Sequence, residues 1–301
     1  MNNIITTQNL TKKFGKLTAL DNFTLTVPEG SIFAFLGPNG AGKTTTIKML
    51  LNLLEPTKGS AEVFGVKSGK LGPKELAQIG YVSENQEIYD WMTVKQLIAF
   101  CKPMYPTWDN AFCDRLTRLF DLPPDRRISN FSRGMKIKAA FLISLAYRPR
   151  LLVLDEPFTG LDPLVRDELI QSILELTTAE HWTVFISSHD IYEVEMLADT
   201  IGVLDRGRLK LVESLDSLQA RFKKINITLN SPLNRLPELS PAWLGLEHEN
   251  RAVKFIDSAY QEKSLSESVY QLFPDCANIE TTGMTLREIF IALAKTYKLN
   301  A

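Results

Sequence analysis

Gly37-Pro38-Asn39-Gly40-Ala41-Gly42-Lys43-Thr44-Thr45 fits the pattern G-x-x-x-x-G-K-[ST], a set of residue types suited to holding phosphate. Glycines let backbone N–H groups approach an anion that a Cβ would keep away. Lys43 adds a charge able to reach β- and γ-phosphates, and the Thr44 hydroxyl offers an oxygen ligand to Mg2+. The flanks agree. Ser31 to Leu36 is an apolar run of buried-strand length, and Thr46 to Leu54 has helical spacing. A strand, a glycine-rich loop and a helix N-terminus concentrate unpaired N–H groups and the helix dipole on one spot. The pattern implies a nucleoside triphosphate site.

Such a loop by itself leaves kinases, GTPases, motors and transport ATPases open. Three downstream clusters narrow the choice. Leu151-Leu152-Val153-Leu154-Asp155-Glu156-Pro157 is an apolar strand ending in adjacent carboxylates. On extended backbone successive side chains diverge, so Asp155 could hold Mg2+ while Glu156 orients and polarises a water. Asn130-Phe131-Ser132-Arg133-Gly134-Met135-Lys136 precedes a long apolar helix, with Ser132 as its N-cap. Ser187-Ser188-His189-Asp190 closes another apolar strand, at the end of a parallel sheet where ligands sit.

With these motifs in this order, the chain resembles the ATP-binding subunit of ATP-binding-cassette (ABC) transporters over about residues 1–220. The Ser-Arg-Gly-Met-Lys run at 132–136 is similar to the exporter-type form of the family signature. The resemblance implies that Ser132 and Gly134 bind the γ-phosphate of ATP held by a second copy. Gly160-Leu161-Asp162-Pro163 looks like the loop that crosses the dimer interface. His189 matches the switch histidine, set to contact the γ-phosphate and fix Glu156, and Phe14 matches the aromatic that stacks on adenine. The family has a glutamine after the strand Ile79 to Ser83. Here Glu84 stands there, with Gln86 two residues on, and either could serve; Glu84 adds a carboxylate for Mg2+. Tyr89 to Met92 corresponds to the segment that meets the family's membrane partner, and Met284 to Phe290 is similar to the closing helix of exporter subunits.

The elements that must position these groups are legible in outline. Ile4 to Val27 alternates as two strands around Gly15-Lys16, and Pro56 to Ser60 reads as a turn before a strand over Ala61–Gly65. A helical block spans about 90–147. Strands over Leu151–Leu154 and Thr183–Ser187 flank a helix from about Pro163 to Thr178, and Ile201 to Leu211 reads as a hairpin. After about Arg221 come a strand over Asn226–Asn230, a proline-rich linker over Ser231–Pro241, two strands within Leu244–Ile256, and helices over Ser264–Leu272 and Thr285–Lys298. The expected fold is α/β: a P-loop NTPase core of the ABC ATPase type with an antiparallel β subdomain and an inserted helical subdomain, over 1–220. A small α+β domain over 221–301 follows.

Composition sets limits on partners. Lys+Arg 34 against Asp+Glu 35 gives a net charge of −1, no global field for nucleic acid, and no nucleic-acid partner is expected. Cys101, Cys113 and Cys276 lack C-x-x-C spacing and read as reduced thiols. Met1 to Thr7 lacks the basic start and apolar core of a signal peptide, and no window holds the roughly 18 apolar residues that span a bilayer. The expectation is an ATP-hydrolysing subunit that uses ATP and Mg2+ and dimerises head to tail with a second copy. It would power a separate transmembrane permease, as an exporter, from the cytoplasmic face of the membrane. The alternative is a soluble ABC ATPase with a regulatory role outside transport.

Overall fold

Two compact units, residues 1–212 and 213–301, make up the chain in this computed structural model. The structure describes residues 2–84, 86–233, 236–237 and 240–299, with side chains of the last helix described to residue 293. Asn234, Arg235, Glu238 and Leu239, within the stretch read as a linker, lie outside the described residues.

In the first unit β1 (Asn3–Phe14) and β2 (Leu17–Pro28) form a long antiparallel hairpin, followed by β3 (Ile32–Leu36) and α1 (Lys43–Leu50). Next come β4 (Lys58–Val63), β5 (Val66–Lys67), the short α2 (Pro73–Leu76) and β6 (Ile79–Ser83). The helical block holds α3 (Val94–Cys101), α4 (Asn110–Leu119) and α5 (Arg133–Leu145). Then follow β7 (Leu151–Asp155), α6 (Pro163–Glu180), β8 (Thr183–Ser188), α7 (Ile191–Leu197), β9 (Thr200–Asp205) and β10 (Arg208–Ser214), whose last two residues fall in the second unit. One sheet runs β2-β1-β4-β5, the other β10-β9-β3-β8-β7-β6. In the second sheet β9, β3, β8, β7 and β6 pair in parallel. A parallel strand covered on both faces reads as an unbroken apolar run. Every residue of β3, β7 and β8 is buried, as those runs require. The expected ABC ATPase architecture is what forms.

Side-chain caps start the three helices of the helical block. Thr93 and Gln96 form a reciprocal capping box at α3, Asp109 accepts the Phe112 N–H at 2.9 Å for α4, and Ser132 accepts the Met135 N–H at 3.2 Å for α5. One turn was read too long: Lys58 to Ser60 belong to β4, paired with Gln8 and Thr11 of β1. Gly59, at φ +78°, passes so close to the Asn9 carbonyl that a Cβ would collide with it, so a turn composition sits inside a strand.

Phe185 in β8 lies at the centre of the first unit's core, fully buried, stacked on Phe33 at 5.5 Å and tilted against Phe35 at 5.7 Å between ring centroids. Phe185→Ala is expected to cost about 3–5 kcal/mol through lost burial and the cavity left behind. Guanidinium unfolding midpoints measure it, and a loss below about 1 kcal/mol contradicts this packing.

The second unit holds α8 (Leu215–Arg221), β11 (Lys223–Leu229), β12 (Trp243–Glu249), β13 (Ala252–Asp257), α9 (Glu262–Leu272), β14 (Cys276–Gly283) and α10 (Leu286–Leu299). Its antiparallel sheet runs β12-β13-β11-β14. Ile225, Ile227, Val253 and Phe255 pack with Leu265 and Val269 of α9. The sequence reading contained neither α8 nor β14. β14 is an edge strand with a mostly exposed face, so it shows no apolar alternation and owes its form to pairing with distant β11.

Candidate functional site

The register of the parallel sheet lines up three strand ends. Leu36 pairs with Ser188, and Asp155 with Ser187, so the loops after β3, β7 and β8 leave the sheet side by side. These are the carboxyl ends, where an open α/β sheet places its ligands.

Gly42, at the N-cap of α1 with φ 112°, offers no side chain to the helix donors, and a Cβ there would stand 2.5 Å from the Ala19 carbonyl. The loop over Pro38, Asn39, Gly40 and Ala41 is held by the Ala41 N–H donating to Pro38 O at 3.1 Å, and Thr45 lies in the first turn of α1. Lys43, only 5% exposed, folds its ammonium back to Gly37 O at 2.5 Å, Pro38 O at 3.1 Å and Glu156 Oε1 at 3.0 Å.

Asp155 Oδ1 accepts the Thr44 hydroxyl at 3.1 Å and the Ser187 hydroxyl at 2.6 Å. Glu156 takes a different route from the one the sequence implied. The strand ends at Asp155, and Glu156 turns away at φ 53°, in the left-handed region, with its N–H donated to Ser187 O at 3.1 Å. The two carboxylates part because of this turn, not because of strand alternation. Glu156 is 8% exposed; its Oε2 lies 2.6 Å from His189 Nδ1 and accepts the Thr159 hydroxyl at 3.2 Å.

Lys43, Thr44, Asp155, Glu156 and His189 therefore form one hydrogen-bonded cluster. Ser132 and Gly134 lie outside it, at the start of α5, and Asp162 caps α6 through the Leu164 N–H at 2.9 Å. Phe14, at the end of β1, is 48% exposed with the Lys12 ammonium 5.1 Å from its ring centre. Glu84 donates its N–H to Asp155 O at 2.8 Å, while its carboxylate faces Arg133 at 3.7 Å. Gln86 turns back to accept the Ser83 N–H at 3.3 Å. Three contributors were missed in the sequence. Ser187 and Thr159 bind the carboxylates directly, and Glu193 accepts the Ser188 hydroxyl at 2.6 Å. The Ser187-Ser188-His189-Asp190 run at the end of a strand was the available signal for the first; the others carry none.

Among the described residues no group of three or more His, Cys, Asp or Glu could hold a metal. The hydroxyl and carboxylate of Thr44 and Asp155 make two adjacent hard oxygen donors, which fit a Mg2+ that takes its other ligands from phosphate and water.

The ABC transporter family matches residues 20–159. The bacitracin transport ATP-binding protein of Bacillus licheniformis is 30% identical over 97% of this chain and 98% of its own. The chain belongs to the ABC transporter ATP-binding family. A lantibiotic transport ATP-binding protein of Streptococcus pyogenes is 36% identical over 69% of this cassette-bearing chain and 90% of its own. A solved ATP-binding subunit of an ABC transporter, 28% identical, superposes with a TM-score of 0.65 over 72% of this chain and 92% of that one.

Proposed function

We propose that this ABC subunit hydrolyses ATP at a site shared by two copies, and that the resulting opening and closing powers export through a separate transmembrane permease. The contact that carries the reading is the chain Lys43 Nζ–Glu156 Oε1 at 3.0 Å and Glu156 Oε2–His189 Nδ1 at 2.6 Å. It joins the phosphate-binding cation, the acceptor for a water proton and the switch histidine. When ATP enters, Lys43 exchanges its carbonyl and carboxylate partners for phosphate oxygens. Glu156, released from that cation but still held by His189 and Thr159, is free to orient and polarise the attacking water. The Thr44 hydroxyl and the Asp155 carboxylate would hold a Mg2+ ion, with Glu84 a further ligand once its carboxylate leaves Arg133, and the ion would supply neutralising charge to the phosphates. Phe14 stacks on the base. His189 holds Glu156 in place and meets the γ-phosphate.

Ser132 and Gly134 lie outside the cluster in their own chain, so the site is completed by those of a second copy arranged head to tail, with Asp162 at the crossing. Residues 1–220 then act as the cassette, with 221–301 as an accessory domain. Bacitracin and lantibiotic transport proteins among the relatives support an exporter. No described helix is long and apolar enough to cross a membrane, which supports a subunit held at the cytoplasmic face by its permease.

The shared site has a direct test. Lys43→Ala and Ser132→Arg are each expected to be inactive alone. Mixed, they regain up to roughly a quarter of the wild-type rate, because half the dimers pair unlike chains and each of those holds one intact site of two. Absence of any recovery, with mixed dimers shown by crosslinking, refutes the shared site.

A further inference from the structure

Glu193 is a buried carboxylate, 5% exposed, in the first turn of α7, and the hydrolytic chemistry above makes no use of it. Its Oε2 accepts the Ser188 hydroxyl at 2.6 Å. The oxygen of that hydroxyl in turn accepts the Asp190 N–H at 2.9 Å. One hydroxyl thus ties together the residues on both sides of His189, and Glu193 orients it. The Ser188 carbonyl also accepts the Gly37 N–H at 3.2 Å, joining the same turn to the phosphate loop. A glutamine could accept the same hydrogen bond without the desolvation that a buried carboxylate incurs.

We propose that Glu193 is a positioning residue for the switch histidine, acting through the Ser188 hydroxyl to hold His189 against Glu156. The proposal rests on the reading of the Glu156–His189 pair given above. Burial, foremost, pushes the Glu193 carboxyl up to about 7; the charges of Asp190 and Glu156 push the same way, and the Ser188 hydroxyl and Arg166 oppose them. Arg166 of α6 bonds Asp190 at 3.1 Å, so the turn is braced from that side too. Above pH about 7 the carboxylate accepts from Ser188 and leaves the serine oxygen to the Asp190 N–H. Below it the acid carries its own proton, competes for that oxygen, and loosens the turn that bears His189.

The test uses the full chain, with ATPase assays from pH 6 to 9 and NMR of the nucleotide-free protein. The chain has 3 histidines, so the His189 imidazole is assigned by replacing the other two. Glu193→Ala and Ser188→Ala are each expected to lower kcat about tenfold, with KM for ATP within about twofold, and to displace the His189 resonance at pH 8. Glu193→Gln restores that resonance and keeps kcat within about twofold at pH 8, but loses the wild-type inflection near pH 7. A Glu193→Ala protein with wild-type kcat and an undisplaced His189 signal overturns the proposal, as does a rise in KM alone. Should Glu193→Ala not fold, Ser188→Ala, which removes a single hydroxyl, decides by the same readings. Glu156→Gln serves as the control. If it turns over normally, the site reading fails; if it is inactive while Glu193→Ala is not, only the positioning role fails.

Discussion

Glu156→Gln is expected to lower ATP turnover by about a hundredfold to a thousandfold while ATP binding persists. The substitution keeps the side chain's volume and its oxygen toward His189, but removes the charge that polarises a water. Glu156 is 8% exposed and meets Lys43, His189 and Thr159, so no neighbouring carboxylate is free to replace it: Asp155 is committed to Thr44 and Ser187. With hydrolysis blocked and binding intact, closed dimers should accumulate. Size exclusion with light scattering in Mg-ATP will show them, and the wild type will show fewer. Normal turnover by this variant would remove Glu156 from the chemistry.

Lys43→Ala is expected to weaken ATP binding by at least about a hundredfold, the scale of one buried charge-assisted contact to phosphate. The ammonium is 5% exposed and held by two loop carbonyls and Glu156, so it is already at the loop before ligand arrives and little side-chain entropy is lost on binding. Its removal also leaves the buried Glu156 without its cation. A fluorescent-nucleotide titration measures the loss. Near-native affinity in the variant would mean that the backbone donors of the loop suffice, and Lys43 would then act on the reaction alone.

How much of this was legible follows from where the information lies. The phosphate loop, the cap at Ser132, and the apolar runs of β3, β7 and β8 are local patterns, each set by residues within a few positions of one another. Sequence shows such features directly. β14 escaped because this edge strand is exposed along most of its length on both faces and so carries no alternation, and its pairing partner β11 is far away in the chain. Lys58 to Ser60 escaped because Gly59 serves a close approach to Asn9 and a turn composition equally well. The divergence of Asp155 and Glu156 was expected, but its cause was not: a left-handed residue at the strand end is a choice made by surrounding packing.

The chain's residue types and their order determined by themselves that phosphate chemistry, a metal-competent hydroxyl and carboxylate, and a histidine are present, since each motif is short and self-announcing. Only tertiary structure decided that they meet. The strand order places β3 beside β8 and β8 beside β7, against their order in the chain, and so brings Lys43 to Glu156 and Glu156 to His189. The same folding buried Glu193 under Ser188. Crossover connections bury apolar surface on both faces of a parallel sheet, a gain summed over the whole sheet that no local window of sequence contains.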